Sequence, residues 1–233
     1  MTAPSYRTAF IVGAGTGLSA SLARLLHAQG LNVALGARDI AKLESLASET
    51  RALTVAVNAV DEASVAAAFT AVEARFGAPD VVIYNASGRL RGPFVDLEAS
   101  AVEQALAVSA YGGFLVAQQA ARRMLQAGSG AILFTGASAS VKGYAQSAPF
   151  AMGKFALRGL AQSIARELAP RGIHVAHFVI DGGIASRERP VPSTAPDSLL
   201  DPDAIARTYL HVLQQDRSAW TWEVELRPWV ERF

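Results

Sequence analysis

The sequence contains no cysteine, no surplus of either charge and no long uninterrupted apolar run. The absence of cysteine excludes disulfides, thiolate metal sites and cysteine nucleophiles, and it fits a reducing compartment. With 21 Lys+Arg against 20 Asp+Glu, the net charge of +1 provides no basic surface for nucleic acid. No window reaches the roughly 18 apolar residues that a spanning helix needs, and residues 1–6 begin no signal peptide. We therefore expect a cytoplasmic protein without nucleic-acid or membrane partners.

What is present is a globular composition, with 51% hydrophobic and 18% charged residues in a chain of 233. Short apolar runs alternate with longer segments of helical period, which is typical of βαβ units. We predict an α/β fold: a single Rossmann domain over residues 1–233, with a doubly wound, mostly parallel seven-stranded sheet and helices on both faces. The predicted strands are Ala9–Val12, Asn32–Leu35, Leu53–Val57, Val81–Tyr84, Ala131–Thr135, His174–Val179 and Glu223–Leu226.

The helical segments include two long ones, at Ala99–Ala127 and Pro149–Ala169, each rich in alanine and followed by a glycine that can end a helix. Ser186–Pro202 differs, because it has four prolines and no apolar period. Such a loop is uncommon inside a domain and is often a binding segment, although an ordinary surface excursion is the alternative. We expect it to form a substrate loop.

A glycine-rich turn, residues 13–18, follows the first predicted strand and opens into a helix with a leucine stripe. Glycines at such a turn let the backbone approach a pyrophosphate, and the positive end of the helix attracts the anion. A tight turn that binds nothing has the same sequence, so the signal needs support from elsewhere. The second predicted strand supplies it, because Arg38 and Asp39 follow where dinucleotide enzymes hold the adenosine ribose. Arginine there favours NADP and an acid favours NAD, so the register of the strand end decides between them.

Together these features resemble the short-chain dehydrogenase/reductase family over nearly the whole chain. The family's G-x-x-x-G-x-G pattern falls on Gly13, Gly17 and Ser19, so the third glycine is replaced. Its N-N-A-G turn is matched by Asn85 and Ala86.

The resemblance implies one bound dinucleotide, NADP or alternatively NAD, and a small-molecule substrate. Asn58 stands where the family often places an acid near the adenine, and residues 181–186 resemble its P-G-x-x-x-T turn. The residues thereby assigned to the cofactor are Gly13, Gly15, Thr16, Gly17, Leu18, Arg38, Asn58, Asn85, Ala86, Lys154, Gly182 and Ile184.

Family chemistry depends on a tyrosine and a lysine four residues apart, one helical turn, together with a serine and an asparagine. The spacing is met here by Phe150 and Lys154, so the lysine is present and phenylalanine stands at the tyrosine position. The serine position is matched by Ser138, with Ser140 as the alternative, and the asparagine position by Ser109.

The tyrosine hydroxyl passes a proton to or from the substrate oxygen in the family mechanism, and phenylalanine cannot do so. General acid–base catalysis is worth about 10²–10⁴-fold, so altered or residual activity is expected. Two other proton sources are conceivable: the Tyr144 hydroxyl, and a water held by Ser138 and Lys154.

The leading hypothesis is an oxidoreductase of this family that acts on an unknown carbonyl or alcohol and assembles as a homodimer or homotetramer. The alternative is a catalytically impaired nucleotide-binding protein that serves as a sensor or assembly subunit. A third possibility, a non-redox α/β domain such as a methyltransferase, is disfavoured by Lys154 and Arg38. No metal site is expected, because His174 and His177 are three apart on a strand and therefore face opposite sides.

Overall fold

Seven short apolar segments form one parallel sheet in the computed structural model, which describes residues 6–231. The strands are β1 (Thr8–Val12), β2 (Asn32–Ala37), β3 (Leu53–Ala56), β4 (Val81–Tyr84), β5 (Gly130–Thr135), β6 (Ile173–Ile180) and β7 (Glu223–Leu226). Their order across the sheet is β3-β2-β1-β4-β5-β6-β7, and every neighbouring pair is parallel. All seven predicted strands are present: β4 and β7 have the predicted bounds, and the ends of the other five differ by at most two residues. Residues 1–5 and 232–233 of the predicted domain lie outside the described residues.

Helices cover both faces of the sheet. They are α1 (Leu18–Ala28), α2 (Glu44–Thr50), α3 (Glu62–Phe76), α4 (Ala99–Leu106), α5 (Gly112–Ala127), α6 (Ala148–Leu168) and α7 (Pro202–Leu213). One apolar core packs α1, α2 and α7 against the sheet, and a second packs α3, α5 and α6 against the opposite face. The central strands β1, β4 and β5 are buried throughout, which is why they read as largely continuous apolar runs instead of alternating ones. The prediction of a single doubly wound α/β domain is confirmed.

The strand order reverses between β1 and β4, because the chain runs outward from β1 to β3 and then returns to the other side of β1. In open α/β sheets the carboxyl ends of the strands at such a point leave a crevice that binds ligands. The backbone N–H of Asn85 donates to Val12 O at 2.8 Å, so the two loops that leave β1 and β4 start side by side. The fold therefore brings the glycine-rich turn next to Asn85.

The first long helical segment is interrupted once. Between α4 and α5 lies a single π-helical turn, Ala107–Tyr111, whose Val108 carbonyl accepts a hydrogen bond from the Tyr84 hydroxyl. Single π turns inside helices are frequent at functional sites. The loop predicted at Ser186–Pro202 contains no helix or strand up to the start of α7, and its flanks are joined by one bridge between Ile184 and Leu200.

None of the helices within residues 6–231 combines the length and the apolar character that crossing a bilayer requires.

Candidate active site

The glycine-rich turn holds its shape by backbone geometry. Gly13 has φ +85°, in the left-handed region, and a Cβ there would collide with the backbone of Ala86. Gly15 and Gly17 differ, because a Cβ at either position would meet no atom within 4 Å. No side chain caps the start of α1. An uncapped helix start of this kind has amide groups that can bind an anion.

Ser19, which replaces the family's third glycine, ties this turn to β4. It is buried, and its Oγ donates to Gly13 O at 3.3 Å and accepts from Asn85 Nδ2 at 2.6 Å. The substitution therefore adds hydrogen bonds between the two loops of the crevice instead of opening it.

A cleft of about 300 Å³ lies at the carboxyl ends of β1, β2 and β3. We call it the Arg38 cleft, and its lining is Val12, Gly13, Ala14, Ala37, Arg38, Lys42, Val57, Asn58, Ala59, Asn85, Ala86, Ser87 and Val108. Arg38 and Lys42 supply its positive charge. Asp39 is not part of the lining, and its Oδ1 accepts a hydrogen bond from Ala41 N at 3.1 Å, at the start of the next helical turn.

A second cleft of about 550 Å³ lies at the carboxyl ends of β4, β5 and β6. We call it the Lys154 cleft, and its lining is Asn85, Ser87, Arg89, Thr135, Gly136, Ala137, Phe150, Lys154, Ile180, Gly182, Ile184, Ser186, Glu188 and Arg189. Asn85 and Ser87 line both clefts, which therefore adjoin; we call the two clefts together the groove.

Lys154 is the buried cation of the second cleft. It is 3% exposed, and its Nζ donates to Thr135 O at 2.7 Å. Burial, reinforced by the positive charge of Arg89, lowers the pKa of Lys154 to about 8. Phe150 lies one helical turn earlier and is also buried, with its ring centroid 6.0 Å from Lys154 Nζ. The helix thus brings Lys154 and Phe150 together in the cleft, as the spacing indicates.

The predicted serine positions lie beside or beneath the cleft. Ser109, in the π turn, is fully buried, and its Oγ accepts from Gly88 N at 3.0 Å. Ser138 is half-buried at the start of the short turn Ser138–Ser140, whereas its neighbour Ala137 lines the cleft. A catalytic role for Ser138 or Ser109 stays a prediction.

Tyr144 lies outside both linings. It is 48% exposed, and its ring centroid is 6.0 Å from Lys142 Nζ.

The residues assigned to the cofactor by resemblance fall on one edge of the sheet. Gly13, Arg38, Asn58, Asn85 and Ala86 line the Arg38 cleft. The remaining residues lie either in the glycine-rich turn, where α1 begins, or in the Lys154 cleft: Gly15, Thr16, Gly17, Leu18, Lys154, Gly182 and Ile184. Binding of a nucleotide by these residues stays a prediction.

Two arginines of the Lys154 cleft were missed by sequence reasoning. The guanidinium carbon of Arg89 lies 5.4 Å from the Phe150 ring centroid, and Arg189 Nη1 lies against Gly183. Partial burial, together with the charges of Arg91 and Arg189, lowers the pKa of Arg89. Arg89 could have been found, since it follows Asn85 by four residues at the carboxyl end of a predicted strand.

A buried polar chain runs beneath the cleft. Arg158 Nε donates to Glu223 Oε2 at 2.6 Å, and His177 Nδ1 lies 3.1 Å from the same oxygen. His177 Nε2 is 3.3 Å from Ser140 Oγ, which accepts from Ala137 N at 3.1 Å. Burial lowers the pKa of His177 to about 4 despite the nearby carboxylate, so the ring is neutral near pH 7.

Three known proteins have the same fold or sequence pattern. The chain is 34% identical over 175 residues to a cis-4-hydroxycyclohexanecarboxylate dehydrogenase of Sinomonas cyclohexanicum, covering 72% of this chain and 70% of that one. A short-chain dehydrogenase from Rhodopseudomonas palustris is 35% identical, with a TM-score of 0.83 over 97% of this chain and 100% of that one. A metagenomic short-chain oxidoreductase solved with NADP is 27% identical, with a TM-score of 0.83 over 95% and 97% of the two chains.

A comparison with a model of a protein family agrees with the matches to these individual relatives. The model described as short chain dehydrogenase matches residues 7–187, from β1 to the loop that follows β6. That segment contains the glycine-rich turn, the Arg38 cleft, the helix that carries Lys154 and the lining of the Lys154 cleft except Glu188 and Arg189. With its sheet order, its shared groove and these matches, the chain belongs to the short-chain dehydrogenase family of oxidoreductases.

Proposed function

We propose that the protein is an NADP-preferring oxidoreductase that interconverts a carbonyl compound and an alcohol. The observation that carries the proposal is that the two clefts adjoin at Asn85 and Ser87. Cations line one cleft and a buried lysine lines the other, and the uncapped start of α1 follows Gly13 and Ala14, which line the Arg38 cleft. A dinucleotide has matching chemistry, with phosphates in the middle and a reactive nicotinamide at one end.

The preference for NADP over NAD is supported by the charges of the Arg38 cleft. Arg38 and Lys42 line it, and a 2′-phosphate would find two cations there. An NAD-selective site needs a carboxylate facing the ribose hydroxyls, but the Asp39 carboxylate is engaged by Ala41 N outside the lining.

The bound nicotinamide would supply hydride in reduction and accept it in oxidation, while the protein must move one proton. In place of the absent phenol, we assign that proton to Lys154 Nζ, directly or through a water. Its lowered pKa of about 8 leaves both protonation states accessible near neutral pH. The protonated amine would donate to the substrate oxygen during reduction, and the neutral amine would accept the proton during oxidation. Ser138 would orient the substrate.

The loop predicted at Ser186–Pro202 is proposed to close over the substrate. This proposal is supported by the lining of the Lys154 cleft, which includes Ser186, Glu188 and Arg189. These residues come after β6 and belong to no helix or strand. Substrate selection would then depend on this loop instead of on the sheet.

A second candidate function is a nucleotide-binding sensor or assembly subunit without turnover. The observation that favours it is Phe150, which places a ring without a hydroxyl in the cleft where the family has its acid–base group. In that case Lys154 would bind the nucleotide and take no part in proton transfer.

Assays of NADPH and NADH oxidation over a panel of ketones and aldehydes, on the natural chain and on Phe150→Tyr, separate the two candidates. The oxidoreductase proposal expects turnover by the natural chain and a larger thermal stabilisation by NADPH than by NADH. If the natural chain binds NADPH without turnover while Phe150→Tyr gains activity, the sensor function stands. If neither nucleotide shifts the melting temperature, both candidates are wrong.

A homodimer or homotetramer is proposed because large apolar side chains are exposed on the two long helical segments. These are Tyr111, Phe114, Met152 and Phe155, each between 41% and 52% exposed. Exposed apolar patches of this kind are typical of subunit interfaces. Light scattering after gel filtration should give two or four copies, and Phe114→Glu with Phe155→Glu should shift the protein toward the monomer.

A further inference from the structure

The Lys154 cleft carries more positive charge than its position in the groove requires. Arg89, Arg189 and Lys154 all line it, against one carboxylate, that of Glu188. Lys154 is buried, whereas Arg89, Arg189 and Glu188 are exposed residues at the rim. The phosphates of a dinucleotide are expected at the first turn of α1, on a different loop. Lys154 has a role in the proposed proton transfer, but Arg89 and Arg189 need another explanation.

Arg89 is positioned by the residue that stands for the family tyrosine. Its guanidinium carbon lies 5.4 Å from the Phe150 ring centroid, and Lys154 Nζ lies 6.0 Å from the same centroid. The face of an aromatic ring attracts cations, so the ring holds both groups at the cleft without neutralising either. Phenylalanine at this position has a use that its lack of a hydroxyl does not reveal.

Arg189 reaches the cleft from the opposite side, on the loop after β6. Its backbone is fixed by a tight turn in which Ser186 N donates to Arg189 O at 2.9 Å and Arg189 N donates to Ser186 Oγ at 3.1 Å. A Cβ at Gly183 would lie 2.8 Å from Arg189 Nη1, so glycine there leaves room for the guanidinium.

Neither arginine has a carboxylate partner in residues 6–231, where the ion pairs of other arginines are found with Asp80, Glu49, Glu73, Glu223, Asp201 and Glu225. Two guanidinium groups facing one cleft repel each other, and the repulsion from Arg91 and Arg189 contributes to the lowered pKa of Arg89. An anion that enters the cleft would relieve this repulsion.

We propose that the substrate carries a carboxylate, which Arg89 and Arg189 bind while its carbonyl or hydroxyl carbon lies toward Lys154. Arginine is suited to this role, because its planar fork matches a carboxylate by two parallel hydrogen bonds. The inference rests on the proposed oxidoreductase function and narrows it to oxo acids and hydroxy acids. Arg89 and Arg189 would determine specificity and would not be catalytic residues.

The test compares oxo acids with their neutral methyl esters. The probes are 4-oxopentanoate, 4-oxocyclohexanecarboxylate and phenylglyoxylate, each measured with NADPH against its ester. The variants are Arg89→Ala and Arg189→Ala. Their matched controls are Arg91→Ala and Arg187→Ala, exposed arginines of the same two loops that lie outside the lining. Calorimetric titration of each acid into protein saturated with NADP⁺, and into free protein, measures binding independently of turnover.

We expect at least one acid to have a KM about tenfold below that of its ester, and either cleft variant to abolish that difference. The control variants should keep the preference, and the Kd of NADPH should be unchanged throughout. Equal KM and Kd values for acids and esters, or a preference that survives both cleft variants, would overturn the inference while leaving the oxidoreductase proposal intact. If NADPH does not bind but the acids do, with loss of binding in the cleft variants, the anion site stands and the proposed function fails. Preference for a phosphate ester over every acid would also contradict a carboxylate substrate.

Discussion

The two clefts of the groove are made from the same edge of one sheet, yet they depart from the family pattern to different degrees. The Arg38 cleft keeps Gly13 and Asn85 and has Asn58 where the family often places an acid. In the adjoining turn, Ser19 replaces a glycine and accepts a hydrogen bond from Asn85 at 2.6 Å. In the Lys154 cleft, Phe150 replaces the group on which the family's proton transfer depends. Holding a nucleotide relies on backbone amides and turn geometry, which many sequences supply. Proton transfer by the family's tyrosine relies on one hydroxyl group, and a single substitution to phenylalanine removes that group.

The largest expected effect is in the Lys154 cleft. Lys154→Met keeps the length and apolar stem of the side chain but removes the amine, so kcat for carbonyl reduction should fall by about 10²–10⁴-fold. Steady-state kinetics measure the fall, and NADPH titration by fluorescence should show a much smaller change in Kd. A loss confined to Kd, with kcat preserved at saturating NADPH, would assign Lys154 to nucleotide binding alone.

The next effect concerns the buried chain beneath the same cleft. The pKa of His177 is lowered to about 4 by burial, so the unfolded chain takes up a proton below about pH 6.5 that the folded chain refuses until about pH 4. Folding stability should therefore fall as the pH drops through that window, by up to about 3 kcal/mol from this residue.

Urea denaturation between about pH 7 and about pH 4 tests this linkage. His177→Asn should flatten the slope, although the loss of the contacts to Glu223 and Ser140 lowers stability near pH 7. The pKa of His174 is also lowered by burial, so a residual slope remains in this variant. An unchanged slope in His177→Asn would contradict a neutral buried His177.

A smaller effect is expected in the Arg38 cleft. Arg38→Ala removes a cation from the ribose end, so the Kd of NADPH should rise about tenfold while the Kd of NADH stays the same. Isothermal titration of both nucleotides into wild type and variant provides the measurement, and NADH serves as the internal control. Equal weakening of both nucleotides would show that Arg38 does not face the 2′-phosphate.

The smallest effect is expected at Ser19. Ser19→Gly restores the family's residue but removes the hydrogen bonds to Gly13 and Asn85, so stability should fall by about 1 kcal/mol with little change in the Kd of NADPH. Thermal or urea unfolding measures the first, and titration the second. A large loss of nucleotide affinity would mean that the two clefts are equally sensitive to substitution.

The fold was largely predictable from the sequence because buried parallel strands leave a local signal. Val81–Tyr84 is apolar throughout and bounded by turn residues, and its limits were predicted without error. The π turn at Ala107–Tyr111 was not predicted. It is tied to β4 by a hydrogen bond from the Tyr84 hydroxyl to the Val108 carbonyl, and these two residues are far apart in the chain. The spacing of apolar residues that predicts a helix does not show where one turn contains an extra residue.

The site was predictable where residues follow a strand directly or lie one helical turn apart, as Phe150 and Lys154 do. Gly13, Arg38 and Asn85 could be placed at the carboxyl edge because each comes just after an apolar run. Arg189 lies in a loop without periodicity and reaches the cleft through a tight turn closed by Ser186. The polar chain from Arg158 to Ser140 joins α6, β7, β6 and the turn Ser138–Ser140. Contacts between elements so far apart in the sequence are set by tertiary packing, which a local pattern does not show.

The pH dependence of a single turnover of NADPH with a carbonyl substrate tests the assignment of the proton to Lys154 most directly. If Lys154 Nζ donates the proton, the rate of the natural chain should be constant below its pKa of about 8 and should fall tenfold per pH unit well above it. Lys154→Met should show a low rate without that fall. A natural-chain rate that is independent of pH from about 6 to about 10 would contradict proton transfer by Lys154.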